Sequence, residues 1–202
     1  MRRKRSVFSD KFRELKKYLE LSHAGSISRR YFVMNSFDGV MTSLGVTLGS
    51  FFSGIRDPRF VLAAGVGAAI AMFFSGFMGT LMTERAERTR KLKELEKSLL
   101  RELNNTLQER AEVVASFFSA AIDGISPLLT SVFVLLPFMM SLWGIIDEFF
   151  AFYLSFSFAF VTLFLLGTVL GKISRENILV YGGEMLIAGL AVVLISMLLG
   201  LL

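Results

Sequence analysis

The chain has 202 residues, of which 53% are hydrophobic and 21 are Phe, and its mean hydropathy is +0.60. Such a composition is too apolar for a soluble globule of this size and describes an integral membrane protein. Cysteine is absent, which excludes disulfides and thiolate ligands, and the net charge of +5, which a nucleic-acid binder would also carry, is accounted for below by orientation in the membrane.

Residues 1–30 form a basic segment ahead of the first apolar run. It has no long apolar stretch and no small-residue cleavage site, so it is not expected to be a signal peptide. Phe8, Phe12, Leu15 and Leu19 recur at helical spacing between Lys and Arg, which fits an amphipathic helix lying on an anionic membrane surface or a solvated basic tail. The single histidine, His23, lies in a polar stretch and carries no assigned role.

Five apolar runs follow, at about 31–53, 60–82, 117–142, 149–171 and 179–202. Each is near the roughly 20 residues needed to cross about 30 Å of hydrocarbon at about 1.5 Å per residue. The expected fold class is therefore an all-α integral membrane protein with five transmembrane helices in a domain spanning 31–202. Span one contains Asp38 as its only charge, and Asn35, Asp38 and Thr42 share one helical face. A charge at bilayer depth costs roughly 2.5–3.5 kcal/mol on insertion scales, so such a residue faces a protein interior, a water-filled path or an ion.

Span two contains Met72, Met78 and Met82, and Glu84 stands just beyond it. Small residues four apart, at Gly45 and Gly49 in span one and at Ala64 and Ala68 in span two, predict close helix contact between these spans or across a dimer. Residues 83–116 are charged, with Leu92, Leu95, Leu99 and Leu103 at helical spacing and Asn104-Asn105 as the turn-like pair, which predicts a short cytoplasmic helical hairpin. Within span three, Pro127 follows Asp123 by four residues and should kink or break the helix, either lining a cavity or merely bending it, with Pro137 as a second weak point. Span five places Glu184 near its start.

Lys and Arg are distributed one-sidedly. Ten precede span one, eight lie between spans two and three and two follow span four, against two in the 54–59 loop. The positive-inside rule then puts the N-terminus in the cytoplasm and the C-terminus outside.

No HExxH, GxSxG or P-loop occurs, so the chain is not expected to be an enzyme. Carboxylates with amide and hydroxyl neighbours and a nearby thioether suit a first-row divalent ion in passage, whereas Mg²⁺ and Ca²⁺ have no use for sulfur. Residues 37–54, FDGVMTSLGVTLGSFFSG, resemble the first helix of the vacuolar iron transporter family. SGFMGTLMTERAER, SPLLTSVFVLLPF and ILVYGGEMLIAGLAVVLISMLLG extend the resemblance, in order, across most of 31–202. It implies a five-span homodimer exporting Fe²⁺ or Mn²⁺ from the cytoplasm by proton antiport, with no permanently bound cofactor. Asp38 matches the family's metal-binding Asp, and Met78 its assisting Met.

The family's closing Gly-Glu stretch of span two here reads Gly79-Thr80-Leu81-Met82-Thr83, and the Glu-rich cytoplasmic domain is shortened. The metal-site candidates are accordingly Asp38, Met78, Glu84, Asp123 and Glu184, with Asn35, Thr42, Glu87, Glu109 and Glu112 as weaker ones, the four hairpin residues Glu84, Glu87, Glu109 and Glu112 forming a reduced cytoplasmic site at the hairpin base or an ordinary charged surface. The partners implied are divalent metal ions, protons and membrane lipid, without nucleic acid. The alternative is a non-transporting membrane scaffold that docks a partner or anionic lipid through its basic segments.

Overall fold

The computed structural model describes residues 24–102 and 106–200, together with Tyr18 and Ser22. The expectations for Phe8, Phe12, Leu15, Leu19, His23, Leu103 and Asn104-Asn105 fall outside the described residues. Among the described residues five helices follow one another: α1 Ala24–Phe52, α2 Pro58–Leu99, α3 Leu107–Leu142, α4 Glu148–Ser174 and α5 Ile178–Gly200. The all-α class is as expected. Four helices, α2 to α5, are long and apolar enough to cross a membrane, which describes a multi-pass membrane protein. The polar residues of α1, among them Asn35, Asp38 and Thr42, set it apart from those four.

Local chemistry sets the helix ends. Asp57 accepts from the backbone N–H of Arg59 at 2.9 Å, and Pro58 stands at the first position of α2, where its missing N–H costs nothing. Asp147 caps α4 by accepting from the Phe149 N–H at 3.0 Å, and Asn177 accepts from the Leu179 N–H at 3.0 Å as α5 begins. The α3–α4 turn passes through Gly144 at φ 72°, beside the exposed Trp143, a conformation that favours glycine.

α2 does not stop at the end of its apolar run. Its 42 residues extend without interruption for about 63 Å, because the charged stretch after Met82 contains no Gly or Pro and is rich in good helix formers. α3 is likewise unbroken through Pro127 and Pro137, so the expected break in span three is absent. The Thr130 hydroxyl lies 3.1 and 3.3 Å from the Ser126 and Pro127 carbonyl oxygens and can share its one proton with this turn, the kind of local support that lets a membrane helix tolerate proline.

The chain divides into two compact units. One draws on residues up to Phe32 and on Ser75–Asp123, the other on Val33–Phe74 and Gly124 onward. In the second unit, α1 and α3 meet almost backbone to backbone. A Cβ on Gly39 would lie 2.5 Å from the Pro127 carbonyl oxygen and 2.7 Å from the Pro127 Cα. Thr130 and Ser131 use that proximity, donating to the Ser36 and Gly39 carbonyls at 3.0 Å each. α4 and α5 approach as closely at Gly167, where a Cβ would meet the Gly182 Cα at 2.7 Å.

Between these contacts pack Val40, Leu44, Leu48, Val134 and Leu163, and a second cluster joins Val61, Leu135 and Phe138 to Phe152, whose rings meet edge to face at 4.9 Å. Lipid tails are as apolar as these side chains, so tight packing, not exclusion of water, is what such contacts contribute. The outer faces are apolar as well: only 11% of the apolar window of α5 is buried, which suits a helix facing hydrocarbon.

Candidate functional site

Two groups of polar residues stand out, one in each unit. In the second unit, α1 places Asn35, Asp38 and Thr42 on one face, as their spacing predicts, and none of the three is buried. Gly45 and Gly49 continue the same 3-and-4 spacing, with open space where their side chains would be. Asp38 is exposed and makes no hydrogen bond or ion pair among the described residues. Glu184, on α5, is also exposed and without such a partner.

The first unit treats its carboxylates differently. On α2, Thr80, Glu84 and Arg88 are spaced four apart and all face inward. The Thr80 hydroxyl donates to Asp123 Oδ2 at 2.6 Å, and Asp123, 5% exposed, lies against Gly76, where a Cβ would be 3.1 Å from the same oxygen. A side chain at position 76 would crowd that carboxylate. Glu84, 7% exposed, accepts the Tyr31 hydroxyl at 2.9 Å on Oε1 and Arg88 Nε at 2.8 Å on Oε2.

Arg88, 6% exposed, then reaches across to α3, where its Nη1 donates to Glu112 Oε2, while Gln108 Nε2 donates to Glu112 Oε1 at 3.1 Å. One guanidinium thus joins two carboxylates on two helices, and its Nη2 is buried without a partner. Beside this cluster is a cavity of about 430 Å³ lined by Glu84, Glu87, Arg88, Lys91, Gln108 and Glu112.

Of the expected hairpin quartet, Glu84 and Glu112 converge and the other two do not join them. Glu87 is exposed and pairs with Lys91 at 2.7 Å, whose hydrogen bond and charge hold the Glu87 carboxyl below its ordinary range. Glu109 lies in the first turn of α3 and its backbone N–H bonds the Thr106 hydroxyl at 3.3 Å. Met78 belongs to the first unit and is exposed. Among the described residues no three His, Cys, Asp or Glu side chains gather as a metal-holding group.

Arg88, Tyr31 and Thr80 were not singled out by sequence. The signal was present in the i, i+4, i+8 series Thr80, Glu84, Arg88, with Glu before Arg in the favourable order for a helical pair. It was masked by the densely charged stretch that follows Met82.

No family model matches the chain, and no solved structure matches it. Over 174 residues it is 32% identical to an uncharacterized protein, MJ0645, of Methanocaldococcus jannaschii, an alignment covering 85% of this chain and 87% of that one. The chain therefore belongs to the family of that archaeal protein.

Proposed function

We propose that the chain is a divalent metal transporter that exports Fe²⁺ or Mn²⁺ from the cytoplasm in exchange for protons. The observation that carries this reading is Asp38: a carboxylate on an apolar helix, exposed and without a hydrogen-bonding partner among the described residues. Facing lipid, it would cost roughly 2.5–3.5 kcal/mol. On the proposed reading α1 also crosses the membrane, which brings the spans to five, and its Asn35–Asp38–Thr42 face is covered by a second copy of the chain. Gly45 and Gly49 let the two backbones approach, and the polar residues line a path at the contact.

In the proposed mechanism, deprotonated Asp38 takes a cytoplasmic ion with help from the Asn35 amide and Thr42 hydroxyl, and protonation from the outer side releases it. Oxygen donors hold such an ion without trapping it. The resemblance gives Met78 the role of an assisting soft donor and leaves Asp123 and Glu184 as candidates for further stops for protons or metal. The N-terminus, the α2–α3 hairpin and the α4–α5 loop face the cytoplasm in this reading, since 20 of 22 Lys and Arg residues lie in those segments. The resemblance to the vacuolar iron transporters, carried by the Asp38-Gly39 segment, supports the choice of ion.

The test is Fe²⁺ and Mn²⁺ uptake into proteoliposomes under an imposed pH gradient, with the native chain and Asp38→Asn compared. Gradient-dependent uptake that disappears in the variant is the expected result. Folded protein that moves neither ion would discard transport in favour of the scaffold, and uptake indifferent to Asp38 would discard the mechanism.

A further inference from the structure

Transporters of the kind proposed above would gain from carboxylates that gather metal at the cytoplasmic mouth, and Glu84 and Glu112 converge from two helices where such a site would be. The residues around them do not fit a metal ion. All four carboxylate oxygens already accept a hydrogen bond, from the Tyr31 hydroxyl, Arg88 Nε, Arg88 Nη1 and Gln108 Nε2. The point at which the two carboxylates meet is filled by a positive charge. Glu87, which could supply a third ligand, is engaged by Lys91.

We propose that Arg88 is a tethered counter-cation that occupies the Glu84–Glu112 pair and denies it to divalent metal, a specificity-determining residue for where this chain holds its ions. The adjoining cavity of about 430 Å³ has room for a hydrated ion, so the exclusion is electrostatic and not steric. Arginine suits this task better than lysine or histidine: it keeps its charge at every physiological pH, so it cannot vacate the position by losing a proton. Its planar fork also meets two carboxylates at once, as Nε and Nη1 do here.

The inference rests on the reading of the chain as one that handles divalent cations, yet its test does not depend on Asp38. Mn²⁺ bound per chain is counted by electron paramagnetic resonance on the full-length protein in detergent, with Asp38→Asn as the background throughout. Adding Arg88→Gln should create an extra Mn²⁺ site, and adding Glu112→Gln on top should remove it. An Arg88→Gln protein of native helicity and monodisperse size that gains no Mn²⁺ overturns the proposal.

Should Arg88→Gln fail to fold, Glu112→Gln with Arg88 intact decides the matter. No change in bound Mn²⁺ is expected, and a lost ion shows that the pair binds metal despite Arg88, which overturns the proposal. Failure of transport in the native chain would leave these counts unaffected.

Discussion

In the unit that carries Glu84, Glu112 and Asp123, each carboxylate meets a donor from another helix, whereas in the unit that carries Asp38 and Glu184 both carboxylates remain exposed without a partner among the described residues. The first arrangement spends its charges on holding helices together. The second leaves charge unmatched in apolar surroundings, a costly condition that persists where something outside the chain completes it. Identical side chains thus carry different expectations, and the surroundings of each decide which applies.

The contrast is broken most directly at Asp38. Asp38→Asn should abolish pH-driven metal uptake and leave the thermal midpoint of the detergent-solubilised protein unchanged, since no hydrogen bond or ion pair among the described residues is lost. A fall in that midpoint with uptake intact would place Asp38 among the structural carboxylates. Arg88→Ala should show the reverse pattern: removing the shared cation strands two carboxylates and should cost about 3–5 kcal/mol, read as a lowered melting midpoint.

Gly39→Ala sharpens the comparison on the packing side. Its methyl group would press on Pro127 and Thr130, and such overpacking typically costs about 1–3 kcal/mol, whereas Gly45→Ala, with open space around it, should leave the monomer's melting unchanged. If Gly45→Ala weakened self-association instead, the α1 face would be the contact between copies. The smallest effect belongs to Glu87. Its carboxyl is held below its ordinary range by Lys91, so the stabilisation it supplies is present above the usual carboxylate range and is lost as pH falls through the lowered value. The pair is exposed, and Glu87→Gln should shift the acid limb of a pH–melting curve barely at all.

Much of this was legible in the sequence. Apolar runs about 20 residues long located the helices, and the alternation of 3 and 4 from Asn35 to Thr42 correctly placed those residues on one face, because both follow from helix geometry alone. The ends of α2 and the continuity of α3 were not. Met82 ends the apolar run but offers the helix no reason to stop, and Pro127 marks a weakened point whose outcome depends on the hydroxyl of Thr130. Nor could the sequence show that Glu84 and Glu112 share Arg88, since 24 residues separate the guanidinium from its second partner. Pairings across helices depend on which faces meet, and periodicity says nothing of the neighbour.

The turn at Gly144 has a spectroscopic consequence. It presents Trp143, the chain's one tryptophan, at 69% exposure beside the exposed Ile145, so the indole emission of the native protein comes from that single turn. Emission maximum, and quenching by lipids brominated at known positions along their tails, then act as a depth gauge for the end of α3. The gauge is built into the unlabelled chain and can follow insertion, refolding or ion loading.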